Sequence, residues 1–302
     1  MMKTKIALAA VLACFVLAPV AAAPAKSSKA KSSKVVKKKT SNKGKKAVAA
    51  AAVGATAAAA HASASTASAS ERRLDRRMAT LSMQYLTALW RVDPEHGIYV
   101  GKFDQAANLT VPTSETRARQ LAFANEWLEK FGKLDPKQLS PRYRTDLALL
   151  VNKLEKDRFR LTTWREFEWN PSQYNVAAPL DLILNTDYAA KPQRLRTILK
   201  RLADVPAYYA AAQASITNPT REHTQLAIGQ APGTLAVLAD PGRAAEESIL
   251  TTQEKAIFAQ RIANAGTAVL GYVDFLNGVE KRQAASGQAR AFRAGKALYE
   301  QK

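Results

Sequence analysis

From Leu74 onward, apolar side chains recur at helical spacing. Leu74, Met78, Leu81, Tyr85 and Leu89 form one stripe, with Leu86 and Trp90 beside it. This three-to-four-residue recurrence puts side chains on one face of an α-helix. Asp93-Pro94 breaks the stripe, and Pro94 to Pro112, which contains Gly97 and Gly101, reads as a long loop. Ser114 is expected to cap a second helix that buries Leu121, Trp127, Leu128 and Phe131 and stops at Gly132. Ser140-Pro141 opens a third, since a cap hydroxyl precedes a proline whose missing N–H costs nothing in a first turn. Its buried side carries Leu147, Leu150, Val151 and Leu154. Leu161 to Tyr174 has no clear period, and Asn170-Pro171 marks a turn. Helical pattern resumes around Leu180 to Leu184, from Pro192 through Leu202 and after Pro206. Asn218-Pro219 repeats the cap-then-proline signal and predicts helix over Thr220 to Ile228, with Glu222 set against the positive end of the dipole. Thr251-Thr-Gln-Glu254 is a capping box before a long helix through Val279, and a last helix covers Ala289 to Tyr299. No hairpin signal or alternating run competes. The predicted fold class is all-α, a multi-helix array over residues 71–302.

The first 70 residues depart from this pattern. Residues 1–25 have the three parts of a signal peptide: Lys3 and Lys5, the apolar run Ile6 to Val20, and small residues from Ala21 to Ala25. The run is shorter than the ~20 residues that span a bilayer. Cleavage is therefore expected after Ala22 or Ala25, with a periplasmic or secreted product. Cys14 as a lipidated residue is the disfavoured alternative, because apolar sequence continues past it to Val20. Cys14 is the only cysteine, so the processed chain has no disulfide and no thiolate ligand.

Charge is divided unevenly. The chain holds 45 Lys and Arg against 25 Asp and Glu, and every acid lies at or after Glu71. Lys26 to Lys46 contains ten lysines and no acid. Such a segment buries too little apolar area to offset chain entropy, and residues 26–70 are expected to form a disordered Lys-rich, then Ala/Ser-rich tether. Lys26 to Lys46 would either anchor to a polyanionic envelope surface or remain a solvated tail. Nucleic acid is not an expected partner, since secretion argues against it.

The body offers little recognisable catalytic chemistry. Of three histidines, His61 lies in the tether, while His96 and His223 are separated by 127 residues and have no companion at ligand spacing. No G-x-S-x-G elbow and no phosphate-cradling glycine loop is present. Candidate substrate-channel residues are Asn218, Glu222, His223 and Gln225, together with Trp164, Trp169 and Tyr174. They would either orient a peptide or serve plainer ends: Glu222 the helix start, His223 and Gln225 buried hydrogen bonds, the aromatics a core. His96 fits a turn better than a catalytic role.

Three runs carry a family resemblance: Trp164-Arg-Glu-Phe-Glu-Trp169-Asn-Pro-Ser-Gln-Tyr174, Arg201-Leu-Ala-Asp-Val-Pro206-Ala-Tyr-Tyr209, and Ile216-Thr-Asn218-Pro219-Thr220-Arg-Glu222-His223-Thr224-Gln225-Leu-Ala-Ile228. Over Leu74 to Lys302 the chain resembles the amino-terminal half of the exported bacterial domain of unknown function 885 proteins, which look like gluzincin-type zinc metallopeptidases. The resemblance implies the amino-terminal half of a channel-containing, zincin-like helical fold. It also implies a peptide substrate and a His-Glu-x-x-Pro-Gly-His zinc signature lying downstream. No such run occurs here, so no catalytic or metal residue is assigned, and zinc is expected only together with a complementary C-terminal half. The pattern from Phe292 to Lys302 reads as helix interior continuing beyond the chain. Ile257, Phe258, Val269, Leu270, Val273, Leu276, Phe292 and Leu298 are then expected to leave an apolar face that drives self-association or pairing with that half.

Overall fold

The computed structural model describes residues 68–301, which form ten α-helices and no β-strand. The expected signal peptide, the lysine run, His61 and nearly all of the expected tether lie outside the described residues. The tether boundary moves by two residues. Helix α1, Ala69–Val92, begins at Ser68, whose hydroxyl accepts the Glu71 N–H at 3.0 Å and satisfies one of the free donors of the first turn. The helix buries Met78, Tyr85 and Leu89 from the predicted stripe.

The first real departure from the sequence reading is at Asp93. Its carboxylate accepts the His96 N–H at 3.0 Å, and Pro94 occupies the first turn of a short helix α2, Pro94–Tyr99. Asp93-Pro94 is thus a cap followed by a helix-opening proline, the same signal read correctly at residues 140–141. The loop is confined to residues 100–113. Helix α3, Ser114–Gly132, is capped by Thr113 rather than Ser114. Helix α4, Pro141–Phe159, has its proline at the start, but the Ser140 hydroxyl makes no cap bond. Instead the Ser140 N–H donates to the Asp75 carboxylate at 3.1 Å, tying α4 to α1.

Residues 160–174 lack periodicity because they are a chain of short turns. A π-helical turn, Arg160–Trp164, ends at Arg165, which takes a left-handed conformation (φ 48°, ψ 44°). Two 3-10 turns follow, Glu166–Glu168 and Pro171–Gln173. The chain then forms α5 (Ala177–Asn185), α6 (Lys191–Leu202), α7 (Val205–Ser215), α8 (Arg221–Glu246) and α9 (Thr252–Ser286). Helix α8 is capped by Thr220 rather than Asn218, and it continues well past Ile228. The capping box at Thr251 and Glu254 is present in both directions. Helix α9 outlasts its predicted end and stops at Gly287, whose φ of 67° only glycine adopts without strain.

Residues 289–295 are not helical, contrary to the predicted last helix. Arg290 forms an isolated parallel bridge with Thr220, and Gly295 turns with φ 84° before a four-residue helix α10, Lys296–Tyr299. Left-handed Gly295 interrupts what the apolar spacing from Ala289 to Tyr299 presents as one helix. The predicted apolar face is also corrected. Phe258, Val269 and Leu276 are buried in the core, and of the eight residues only Leu270 and Phe292 are exposed.

The helices enclose two hydrophobic cores. Met78, Tyr85, Trp127, Phe131, Leu147 and Leu154 centre the smaller one, between α1, α3 and α4. The larger one joins α2, residues 106–109 and α5 through α9. Helix α2 touches both sides, packing against α1 and α5, and its Ile98 lies in the larger core. An ion pair fixes it there. Arg201 of α6 is 1 % exposed and donates to the Glu95 carboxylate at 2.6 Å. The same guanidinium donates to the carbonyl oxygens of Ala106 and Asn108. Glu95 in turn accepts the Thr110 hydroxyl at 2.7 Å and its N–H at 3.2 Å.

Removing one partner of such a cluster strands buried charge. Arg201→Leu should lower unfolding free energy by about 3–5 kcal/mol in urea titrations. Arg201→Lys should recover little, because an ammonium cannot span three acceptors in a planar fork. Asp93 gives a pH signature. Burial raises its carboxyl pKa above the ordinary value, partly offset by the His96 N–H. Its ionisation therefore opposes folding, a cost absent below the unfolded value of about 4 and present once pH passes the folded value. Asp93→Asn keeps a cap acceptor. In thermal melts, the variant's stability relative to wild type should be greatest near pH 7 and decline as pH is lowered to about 4.

Candidate functional site

Two of the sequence runs meet in space through their backbones. The Glu168 carbonyl accepts the N–H groups of Thr217 (3.0 Å) and Asn218 (3.2 Å), and the Trp169 carbonyl accepts that of Thr220 (3.1 Å). Helix α9 closes over this seam: the Tyr272 hydroxyl donates to the Pro171 carbonyl at 2.9 Å, and the Gln283 amide to that of Pro219 at 2.8 Å. The turns of residues 164–174, which have no periodicity of their own, are thus held by neighbours from distant parts of the chain.

The seven candidate residues do not converge on one site. Trp164, Trp169 and His223 come together. Trp169 meets Trp164 edge-on with centroids 5.3 Å apart and His223 at 5.5 Å, and its Nε1 donates to the Trp164 carbonyl at 3.0 Å. His223 Nδ1 lies 2.6 Å from the Thr220 hydroxyl, and its ring stacks on Phe292 at 5.2 Å. Arg290 places its guanidinium over Trp169, 5.1 Å from the ring centroid. Tyr174 is buried elsewhere. Its hydroxyl donates to the Phe167 carbonyl at 2.8 Å, and burial pushes its pKa up to about 12. Asn218 and Glu222 are exposed, and the exposed Gln225 donates to Glu280 at 2.9 Å.

A cleft with apolar walls lies between the two cores. It has a volume of about 280 Å³ and is bounded by α1, α3, α4 and the turns from Arg160 to Tyr174. Leu89, Phe123 and Phe167 give it apolar walls, and Asp93, Arg117, Gln120, Asp157, Arg160 and Glu166 bring charge and hydrogen-bonding groups. These groups are pre-positioned. Arg117 donates to the Pro112 carbonyl at 2.6 Å and the Ser215 hydroxyl at 3.0 Å, and its guanidinium lies 4.3 Å from the Phe167 centroid. Burial lowers its pKa, although an arginine stays charged at any physiological pH. Asp157 pairs with Lys153 at 2.6 Å, and Glu166 accepts from Asn170 at 2.7 Å. Just outside, Arg165 binds Glu168 through both Nε and Nη2, which holds the Glu168 carboxyl below the ordinary value. Of the sequence candidates only Tyr174 lines this cleft, while Trp164 borders a larger, more polar hollow of about 830 Å³ with Arg160 and Glu166.

Arg117 and Asp157 were missed because each sits within an ordinary amphipathic helix, where a charged residue looks like solvated surface. Asp93 was noticed only as a helix breaker. The donor set does not fit the zinc that the resemblance implies. Among the described residues no group of three or more His, Cys, Asp and Glu could hold a metal ion. The His223 ring is already engaged by Thr220, Trp169 and Phe292.

Comparisons with known proteins place the chain. No curated protein matches it. Its fold is similar to the solved structure of a "putative lipoprotein of unknown function" from Shewanella oneidensis, at 34% identity and a TM-score of 0.72. The match covers 74% of this chain and 41% of that one, so the chain spans about two fifths of the solved structure's length. The sequence profile of the bacterial proteins of unknown function DUF885 matches residues 94–302, more than half of the chain. With the three sequence runs folded into a single helical body, the chain belongs to this family, DUF885.

Proposed function

We propose that this chain is an exported, envelope-associated protein whose helical body presents a peptide-binding cleft. It would correspond to the amino-terminal, substrate-channel side of a zinc metallopeptidase-like protein and would not hydrolyse peptide by itself. The observation that carries this reading is the cleft between the two cores. Its apolar walls can take a side chain, and its charged groups are fixed by bonds to the scaffold before any ligand arrives, so little ordering entropy remains to oppose binding. Any hydrolytic step would fall to groups supplied from outside the described residues, for which a complementary C-terminal half is the proposed source. If no such half exists, the same cleft would make the protein a binding module that holds peptides without cleaving them.

Export rests on the tripartite character of residues 1–25. The neighbour's description as a lipoprotein brings the Cys14 route back into view beside cleavage after Ala22 or Ala25. Mass spectrometry of the mature amino terminus separates them: Ala23 or Lys26 first for cleavage, a diacylglyceryl Cys14 for lipidation.

Binding is tested by calorimetric titration of a mixed tetrapeptide pool into the purified chain. Gln120→Trp fills the cleft from α3, where Gln120 is only half-buried. It should weaken binding at least tenfold while shifting stability by no more than about 1 kcal/mol. Glu222→Ala, on the exposed start of α8, should bind as wild type. Undiminished binding by Gln120→Trp would remove the cleft from consideration. Close to one tightly held zinc per purified chain, lost on His223→Ala, would overturn the non-catalytic part.

A further inference from the structure

Helix α1 has an outer face that helix stability does not explain. Arg72, Arg73, Arg76, Arg77 and Arg91 are all exposed, and their spacing places them on the side away from Met78, Tyr85 and Leu89. No carboxylate shares that side. Helical spacing puts Glu71 and Asp75 toward the side of Met78, Tyr85 and Leu89, and the Asp75 carboxylate accepts the Ser140 N–H. Among the described residues Arg73, Arg76, Arg77 and Arg91 enter no ion pair. Arg72 lies in the first turn and Arg73 just beyond it, against the positive end of the helix dipole, where cations are unfavourable and acids are preferred, and Arg76 and Arg77 follow at i+4 as like-charged neighbours. A surface shaped only for solubility would not concentrate them there. Breaking a local rule with no gain in packing is the mark of a surface kept for something else.

The middle of the same face is apolar. Met83 is 60% exposed. The flanking hydroxyls of Thr80 and Thr87 are turned back onto the helix, donating to the carbonyls of Arg76 at 3.0 Å and Met83 at 2.9 Å. Their methyl groups and the Met83 thioether can therefore leave water without stranding a polar group. Guanidinium forks suit phosphate oxygens better than ammonium groups do. From Arg73 to Arg91 the row is about 27 Å long at 1.5 Å per residue.

We propose that this face of α1 is a docking surface for an anionic phospholipid membrane, with the arginines on lipid phosphates and Met83 inserted at the acyl boundary. Charge draws the helix down and the short apolar strip gives it a preference for a bilayer over a soluble polyanion. The surface belongs to the folded body. It adds to any attraction of the lysine run and does not depend on the peptide cleft.

The test uses the purified full chain in a sedimentation assay with vesicles of phosphatidylcholine alone or with 30 mole per cent phosphatidylglycerol, and, in parallel, a polyphosphate resin. Among the vesicles only the anionic ones should bind the chain, the resin should bind it too, and both interactions should weaken with salt. Replacing Arg73, Arg76, Arg77 and Arg91 by Gln should weaken vesicle partition at least about tenfold, while the melting temperature stays level or rises because like charge leaves the helix start. Replacing the ten lysines of residues 26–46 by Gln should leave a measurable part of the binding. Met83→Glu should weaken binding to vesicles and spare binding to the resin. Unchanged vesicle binding in the arginine variant, or complete loss in the lysine variant alone, would overturn the docking surface. Equal losses of Met83→Glu on vesicles and resin would overturn the lipid assignment in favour of a soluble polyanion.

Discussion

A guanidinium buried beside a hydrophobic core must be supplied with acceptors, and the way Arg201 is supplied organises much of the molecule. Its partners are the Glu95 carboxylate on α2 and the carbonyls of Ala106 and Asn108 in the loop that follows. Helix α2 is only six residues long and would not be stable alone. Pinned by Arg201, capped by Asp93 and anchored by Ile98 in the larger core, it packs against α1 on one side and α5 on the other. The loop after it, which has no regular structure, takes its shape from the same charge. Replaced by a well-packed apolar side chain together with Glu95, the cluster would cost little, but its loss on one side alone would not be forgiven. Its value lies in fixing one arrangement of α2 against α6.

The second arginine of this kind, Arg117, shows how the cleft is made rigid. It reaches from α3 to the Pro112 carbonyl and to Ser215 at the end of α7, so the wall of the cleft is tied to the larger core although α3 belongs to the smaller one. The opposite wall is built from π-helical and 3-10 turns held by distant backbone groups. The α3 wall cannot open without breaking its bonds to the larger core, and the wall of turns cannot move without breaking bonds to residues 217–220 and Tyr272.

Local periodicity made the helices legible: α1, α4 and α6 are where the apolar stripes and prolines placed them, and the capping box of α9 is satisfied in both directions. What local pattern misjudged was the meaning of single residues. Asp93-Pro94 does end α1 as its pattern predicts, but it also opens α2, and Gly295 turns the chain where Phe292 and Leu298 keep the helical phase. The cleft was nearly invisible for a different reason. Its groups come from segments far apart in the chain, and nothing near Arg117 or Arg201 reveals which atoms will face them. The aromatic and histidine run did point to a real cluster, of Trp164, Trp169 and His223, but Tyr174 serves the other wall.

The long reach of these bonds also sets an order of events. Glu95 and Arg201 are 106 residues apart, Arg117 and Ser215 are 98 apart, and Pro171 and Tyr272 are 101 apart. A chain made from its amino terminus has α1 through α4 complete while the acceptors and donors that fix them are still unmade. The early helices can gather around Trp127 and Phe131, but α2 and its loop must wait for residue 201, and the turns around Pro171 for residue 272. The smaller core can therefore form first, while closure of the larger core is late. A chain whose larger core cannot close until its last third has appeared stays open over much of its length for most of its synthesis.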